Sequence, residues 1–172
     1  MTTRTIVLIT ALLCLLPASL ALRAQEPVVG VKDPESLFKD KDPKLNRNKQ
    51  AALHIERELL QCGQWDRAGE WLTDAYHQHN PNAASGLKGV VYFFTQVRKA
   101  KRTDKCDRLT GEVVAVMADG DYVTVLTPRK YPDPRTRGQE YTTSWFDTWR
   151  FVNGKADEHW DPATIEPPAP GR

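Results

Sequence analysis

Residues 141–162, YTTSWFDTWRFVNGKADEHWDP, decide the fold of this 172-residue chain. The stretch is rich in aromatic and β-branched residues, and the pair Asn153-Gly154 near its middle is a strong signal for a tight β-hairpin turn. Two aspartates and a histidine stand where strands of an ordinary sheet would carry threonine or valine. The stretch therefore predicts two antiparallel strands that also carry polar side chains with a role beyond packing.

The register of this hairpin decides which polar side chains share a face. If Asn153-Gly154 is a two-residue turn, Asp147 lies opposite Trp160, and Asp147 and Asp161 point to opposite sides of the sheet. If Gly154 is instead the bulge residue of a three-residue loop, Asp147 lies opposite His159. One face then carries Trp145, Asp147, Trp149, Phe151, His159 and Asp161. The residues alone leave both registers open.

The rest of the chain changes character at its middle. Apolar residues recur at helical spacing over residues 49–62, 65–72 and 85–97, with Ser85 as the expected N-cap of the third helix. Residues 74–86, DAYHQHNPNAASG, are dense in turn-forming residues and predict an irregular segment. Two valine-rich runs at 112–117 and 122–127 predict another hairpin, followed by a proline-rich loop over 128–139. Helices first and an antiparallel sheet second predict an α+β fold.

The two ends of the chain are expected to lie outside the folded body. Residues 1–24 combine a basic start, an apolar run and small residues at a cleavage site, which is typical of a secretory signal peptide. A single anchoring helix is the alternative. Cleavage predicts a periplasmic or secreted protein with a flexible arm over 25–45, a domain over 46–162 and a disordered tail over 163–172. Leu37 and Phe38 are expected to pin the arm to the body.

The charge balance excludes some classes of partner. The chain has 24 Lys and Arg against 22 Asp and Glu, and residues 1–24 contain Arg4 and Arg23 but no acid, so cleavage leaves 22 against 22. Proteins that bind nucleic acid or an anionic membrane surface usually carry a basic excess. We therefore expect no nucleic-acid partner and no membrane partner after signal cleavage.

The cysteines leave two alternatives open. Cys62 and Cys106 remain after cleavage and form either a disulfide or two free buried thiols, which their spacing cannot decide. Neither cysteine has an adjacent base and no serine stands in a nucleophile turn, so covalent catalysis is not expected. The histidines and carboxylates do not follow the usual zinc spacings, so we predict no metal site.

Three motifs, LLQCGQWDRAGEWL, DAYHQHNPN and FDTWRFVNGKADEHWD, resemble the nuclear transport factor 2-like superfamily, and within it the SnoaL-like group of polyketide-cyclase relatives. The resemblance covers residues 46–161. It implies a cone-shaped, cystatin-like α+β barrel, in which a curved antiparallel sheet wraps around three N-terminal helices. Such a cone leaves an apolar pocket at its open end, where a small-molecule ligand is expected.

The resemblance also assigns roles. Polyketide cyclases of this group use the aspartate of the EHWD motif as acid/base, which implies that role for Asp161, and their histidine fourteen positions earlier falls on Asp147. Both must face the pocket, so the resemblance selects the bulged register. In the more distant ketosteroid isomerases a neutral aspartate matches Asp147. Their tyrosine falls on Glu56 and their general base falls near His79 or Asn80, where no carboxylate stands, so the isomerase mechanism does not transfer.

The expected chemistry is acid/base catalysis on an apolar carbonyl compound. Burial and a neighbouring acid both raise the pKa of a carboxyl group, which supplies a base and a proton donor near neutral pH. Asp161 is the expected acid/base group and Asp147 and His79 are the polarising groups, in an aldol-type cyclisation or isomerisation without a cofactor. The residues expected to contact the substrate are His159, Asn80, Tyr76, Trp145, Trp149, Phe151 and Phe94.

The alternative function is a non-catalytic module that binds a ligand or dimerises, since a fold does not fix a function. Related proteins often dimerise through the outer face of the sheet, which implies a homodimer with Trp160 and Phe146 in the interface. A single cavity that holds both Asp147 and Asp161 favours catalysis, whereas aspartates outside the cavity favour the module.

Overall fold

A computed structural model describes residues 26–165. The predicted signal peptide, residues 1–24, and most of the predicted tail, residues 163–172, lie outside the described residues. Within residues 26–165, no helix is both long enough and apolar enough to span a membrane.

The helical elements of the described chain precede most of the sheet. They are a 3₁₀ turn at Pro34–Phe38, helix α1 at Pro43–His54, a 3₁₀ turn at Trp65–Glu70 and helix α2 at Leu87–Tyr92. Both main helices continue as π-helix, α1 through Ile55–Gln61 and α2 through Phe93–Val97. α1 begins earlier than residue 49, because Asp42 caps it by accepting hydrogen bonds from the backbone N–H groups of Lys44 and Leu45.

Five strands of the described chain form one curved, open sheet in the order β1-β5-β4-β3-β2. The strands are β1 Leu72–Gln78, β2 Ala115–Asp119, β3 Tyr122–Pro132, β4 Glu140–Val152 and β5 Lys155–Trp160. Neighbouring strands are antiparallel, except that β1 runs parallel to β5. The α+β prediction is confirmed. The predicted loop over 128–139 is shorter than expected, because β3 continues to Pro132.

Strand β1 corrects the prediction of an irregular segment after residue 73. Leu72 and Tyr76 are its buried residues, at 2% and 3% exposure. Residues four positions apart lie on one face of a strand as well as on one face of a helix, and Asp74 between them is polar, so the sequence shows no apolar alternation. The register of β1 with β5 also shifts between Leu72 and His77.

The β4–β5 hairpin adopts neither of the two expected registers along its whole length. Asn153 and Gly154 have φ angles of 51° and 81° and form a two-residue turn, with Val152 opposite Lys155. The bulge predicted at Gly154 is therefore wrong. The extra residue is Asp157 in β5, because Phe151 pairs with Ala156 whereas Arg150 pairs with Glu158. Beyond this bulge Trp149 pairs with His159, so the expected polar face forms by a different route.

The core lies between the helices and the concave face of the sheet, and the N-terminal arm contributes to it. Phe38 is fully buried and Leu37 packs against the core, as expected. The backbone N–H of Val31 also donates a 2.8 Å hydrogen bond to the carbonyl oxygen of Val113. The described part of the arm is thus packed along the body.

Cys62 and Cys106 form a disulfide, which decides between the two alternatives for these cysteines. The bond links the end of the π-helical segment after α1 to the segment before β2, across 44 residues of chain. Cross-linking a loop of this size lowers the entropy of the unfolded chain.

We predict that Cys62→Ala with Cys106→Ala lowers the free energy of unfolding by about 2–4 kcal/mol. Urea unfolding followed by circular dichroism measures the difference. A reducing agent should move the wild-type midpoint towards that of the double variant and leave the double variant unchanged. A wild-type midpoint that does not respond to the reducing agent would contradict the prediction.

Candidate functional site

The helices and the concave face of the sheet enclose a cavity of about 760 Å³. One end, called here the buried end, is lined by residues that are at most 9% exposed: Glu56, Tyr76, Asp147, Trp149 and His159. The other end, called the open end, is lined by the exposed residues Arg98 and Arg129 and by Tyr131, at 39% exposure. Apolar side chains make up much of the wall, among them Leu60, Trp65, Val90, Phe93, Phe94 and Trp145.

Eight of the ten residues predicted to form the site line this cavity: Asp161, Asp147, His159, Asn80, Tyr76, Trp145, Trp149 and Phe94. Phe151 does not, because it is buried in the core opposite Ala156. His79 does not either. Its Nε2 lies 2.9 Å from Glu158 Oε1, and its ring stacks on Trp160 with centroids 5.1 Å apart.

The position of His79 follows from strand alternation. Successive side chains of a strand point to opposite faces, and Gln78, the last residue of β1, lines the cavity. His79 is next in the chain and points away, where it is exposed. The expected convergence of His79 with Asp147 and Asp161 is therefore corrected.

A hydrogen-bonded chain orients the His159 ring and identifies Nδ1 as a donor. The backbone N–H of Asn80 donates to Gln78 Oε1 at 2.9 Å, which identifies that atom as an acceptor. His159 Nδ1 lies 2.9 Å from the same oxygen and therefore carries a proton. His159 Nε2 lies 3.1 Å from Asp147 Oδ1, and this contact also requires one proton, on either atom. Asp147 and His159 thus share a proton beside the cavity.

Asp161 is held at the cavity wall by two donors. The side-chain Nδ2 of Asn80 donates to Oδ2 at 2.8 Å, and the backbone N–H of Ala163 donates to Oδ1 at 3.0 Å. Hydrogen bonds of this kind orient a carboxylate and reduce its freedom to rotate. Asp161 therefore presents a positioned acceptor to any ligand in the cavity.

Glu56 is a site residue that the sequence does not single out. It lies in the π-helical continuation of α1, lines the cavity, and its Oε1 has no hydrogen-bond partner among the described residues. Burial, and then the charge of Asp147, raise the pKa of Glu56 to about 8, against the opposing charge of Arg129. Glu56 is thus mostly protonated at neutral pH and can donate a hydrogen bond. The available signal was its match to the isomerase tyrosine.

Tyr76 presents a second neutral hydroxyl group at the buried end. Trp149 Nε1 donates to Tyr76 Oη at 3.2 Å. Burial raises the pKa of Tyr76 well above its ordinary value, so the phenol keeps its proton at physiological pH. The Tyr76 proton is therefore available to an acceptor in the cavity.

Three of these side chains could also bind a cation. Asp147, His159 and Asp161 each offer one ligand atom, and these atoms lie within 4.8 Å of one another. Carboxylate oxygens and a neutral imidazole nitrogen suit divalent metals, and the hydrogen bond from His159 Nδ1 to Gln78 would orient the ring for Nε2 coordination. The sequence leads us to expect no metal here, and that expectation stays a prediction.

A curved sheet covered by helices, with several acidic side chains on one cavity between them, defines an α+β pocket fold. The chain belongs to the SnoaL-like domain family, whose model matches residues 56–159. No curated protein matches the sequence.

Several solved structures are similar to this chain. A candidate SnoaL-like polyketide cyclase from Jannaschia sp. CCS1 is 19% identical with a TM-score of 0.51, over 72% of this chain and 91% of that chain. A candidate polyketide cyclase from Acidithiobacillus ferrooxidans is 18% identical with a TM-score of 0.48, over 67% and 86%. A nuclear transport factor 2-like protein of unknown function from Burkholderia pseudomallei is 17% identical with a TM-score of 0.47, over 69% and 91%. At 19% identity, the similarity to the Jannaschia structure shows the fold of this chain and not its function.

We predict that Glu56→Gln stabilises the protein at alkaline pH. Because the pKa of Glu56 is raised from 4.5 to about 8 on folding, the wild type loses stability as pH rises through this interval. Glutamine has no proton to lose, so its advantage should be small at pH 4 and reach about 2–4 kcal/mol at pH 9. Chemical denaturation across this range measures it.

A matched control for this experiment is Glu140→Gln, which makes the same change at an exposed position where β4 begins. It should not reproduce the pH-dependent gain. A gain for Glu56→Gln that is equal at pH 4 and pH 9 would show that burial of the Glu56 charge is not its cause.

Proposed function

We propose that the protein binds a small, mostly apolar carbonyl compound in the cavity and catalyses proton transfer on it, in an aldol-type cyclisation or isomerisation. The observation that carries this proposal is the convergence of three carboxyl groups and a histidine on one apolar cavity of about 760 Å³. A cavity of that size accommodates a ligand of two or more rings. The unpaired Glu56 Oε1 costs free energy unless a bound ligand supplies its hydrogen-bond partner, which supports a role for Glu56 in contacting the ligand.

Asp161 is the proposed base. Its carboxylate is oriented by Asn80 and by the backbone N–H of Ala163, and it lines the same cavity as the hydroxyl groups of Glu56 and Tyr76. It removes a proton from the carbon next to the substrate carbonyl, which leaves an enolate.

Glu56 and Tyr76 are the proposed donors to the enolate oxygen. Both carry their protons at neutral pH because of burial, so they stabilise negative charge without first losing a proton. In a cyclisation, the enolate carbon bonds to a second carbonyl carbon of the same molecule. The resulting alkoxide takes the proton shared by Asp147 and His159, and the proton on Asp161 leaves to solvent, from which the pair is reprotonated.

We predict that Asp161→Asn lowers kcat by about 10²-fold or more while KM changes little, because the base is lost and the cavity is kept. A pH-resolved screen of aromatic diketones and polyketide-type esters identifies the substrate, and initial rates then compare the variants. His79→Gln, on the outer face, is the matched control and should keep full activity. Full turnover by Asp161→Asn would refute the assignment of the base.

The same assay separates the acid/base mechanism from metal-assisted catalysis. The wild-type rate should not change in the presence of EDTA. A rate that falls with EDTA and returns with added Zn²⁺ or Mn²⁺ would instead assign Asp147, His159 and Asp161 as metal ligands.

We also propose that the protein is exported to the periplasm or secreted. The Cys62–Cys106 disulfide supports this location, since such bonds persist in oxidising compartments. The apolar run and the small-residue cleavage site within residues 1–24 support it independently.

A second candidate function, dimerisation, is favoured by the outer face of the sheet. Met117, Tyr122 and Phe146 are 51%, 47% and 44% exposed, and the strand register places them on the same face. Trp160 is on this face too, but it already stacks with His79 and contacts the ring of Tyr122. Phe146 is therefore the better probe of an interface.

We predict that Phe146→Asp converts a wild-type dimer to a monomer in sedimentation at micromolar concentration, because a buried interface charge would lack a partner. Val97→Asp places the same acid at an exposed apolar position, 56% exposed and outside the sheet, and serves as the control. A monomeric wild type, or a Phe146→Asp variant that stays dimeric, would contradict the interface.

A further inference from the structure

The cavity differs in electrostatic character between its two ends. The arginines Arg98 and Arg129 line the open end, whereas the buried end presents the protonated Glu56 and the hydrogen-bonded pair of Asp147 and His159. Charge acts over longer distances along a surface of low polarity than in water. The positive open end therefore attracts an anionic group of a ligand, whereas an uncharged carbonyl group gains little there.

Strand register places Arg129 on the cavity side of the sheet. Val125 pairs with Asp147 and Thr127 pairs with Trp145, and Arg129 is the next residue on this face of β3. Arg129 is four residues from Val125, which is about 13 Å along a strand. The Arg129 side chain therefore belongs to the cavity, well separated from the acids.

Trp145 fixes the position of the Arg129 head group. The guanidinium carbon lies 4.6 Å from the centroid of the Trp145 ring, which is a cation–π distance. Trp145 itself lines the cavity. The stacked guanidinium is thus oriented on the cavity wall before any ligand binds.

Arg129 makes no ion pair with a carboxylate within residues 26–165. Arg57, Arg67 and Arg150, in contrast, are each held by a glutamate within 3.1 Å. Arg129 still acts on the buried end, since it opposes the rise in the pKa of Glu56 that burial and Asp147 cause. The N–H donors of Arg129 therefore remain available to a ligand whose other end contacts Glu56.

We propose that Arg129 binds a carboxylate group of the substrate, so that the ligand is an aromatic or alicyclic keto acid with its carboxylate at the open end and its carbonyl at the buried end. This inference rests on the proposed function and names its substrate class. A guanidinium matches a carboxylate through two parallel hydrogen bonds, which a lysine cannot reproduce.

The charge arrangement also disfavours the reverse orientation of such a ligand. A carboxylate at the buried end would lose the Arg129 guanidinium and would lie near the carboxylate of Asp161, and like charges in a poorly hydrated site repel. Holding the acid at Arg129 therefore directs the carbonyl towards Glu56 and Tyr76. The roughly 13 Å of strand between Arg129 and the level of Asp147 leaves room for two fused rings between the two groups.

Two probes of the same shape test this inference without any need for turnover. 2-Naphthoate carries a carboxylate, and 2-acetylnaphthalene carries a neutral methyl ketone on the same ring system. Isothermal titration at pH 7 compares their binding to the wild type, Arg129→Met, Arg129→Lys and Lys130→Met. Lys130 is the matched control, because it is the next residue on the opposite face of β3 and lies 3.9 Å from Glu112.

We expect Arg129→Met to weaken naphthoate binding by about tenfold, and Arg129→Lys to weaken it by less, because a charge remains without the fork geometry. Binding of 2-acetylnaphthalene should stay within about twofold of wild type in both variants, and Lys130→Met should match the wild type with both probes. Added salt should weaken the binding of naphthoate alone.

The outcomes separate this inference from the proposed function. If Arg129→Met and the wild type bind naphthoate equally, or if both probes weaken together, the carboxylate subsite is wrong and the ligand-binding cavity stands. If neither probe binds the wild type, the subsite and the proposed binding function both fail. Loss of turnover in Asp161→Asn would not change any of these affinities, so catalysis is tested separately.

Discussion

The unpaired residue Asp157 in β5 determines which side chains the cavity receives. From Lys155 to Ala156 the strand follows the register of the two-residue turn, and beyond Asp157 every pairing shifts by one residue. A shift of one residue exchanges the two faces of a strand. Without the bulge, Glu158 and Trp160 would face the helices, and His159 and Asp161 would face outwards. The shared proton of Asp147 and His159 therefore depends on this one extra residue.

The bulge is held from two directions. Thr73 Oγ1 donates to Asp157 Oδ1 at 2.7 Å, and Arg150 Nη2 donates to Oδ2 at 2.6 Å. The hydrogen bond from Thr73 lowers the pKa of Asp157, and partial burial raises it. Because the contact with Arg150 lowers it further, the pKa of Asp157 stays below its ordinary value. Arg150 also binds Glu158 at 3.0 Å, on the outer face. Arg150 thus binds both the bulged residue Asp157 and Glu158, the first residue after the bulge. On the other side, the pairing of β1 with β5 is irregular at the level of Thr73, which donates to Asp157.

The sequence predicts the order of the elements well, because the spacing of apolar residues reflects which face of each element is buried. That spacing changes near residue 112 from the period of a helix to the alternation of a strand. Eight of the ten predicted site residues lie on the cavity wall, because the family resemblance selects the face that carries Asp147, His159 and Asp161. Prediction from the sequence fails where one residue shifts a register: Asn153-Gly154 has the composition of a turn or a bulge, and nothing about Asp157 marks it as unpaired without the contact from Thr73. The prediction that His79 lies in the cavity rests on its match to the general base of the related isomerases, and it fails because strand β1, which the sequence does not reveal, fixes the orientation of the residue that follows it.

Glu56 lies on the same helix face as the buried residues Ala52, Ile55 and Leu59, which a regular helical period predicts, but one glutamate in such a stripe does not by itself indicate a site. Both helices that line the cavity become π-helical there, and the two π-helical segments carry Glu56 and Phe94 into it. The wider turns are seen in the bonds from Cys62 N–H to the Arg57 carbonyl at 3.0 Å and from Arg98 N–H to the Phe93 carbonyl at 2.8 Å. Such turns are rare and occur frequently at functional sites. An unpaired, protonated carboxyl group on a π-helical turn combines two locally unfavourable features, and a role in binding or proton transfer accounts for both.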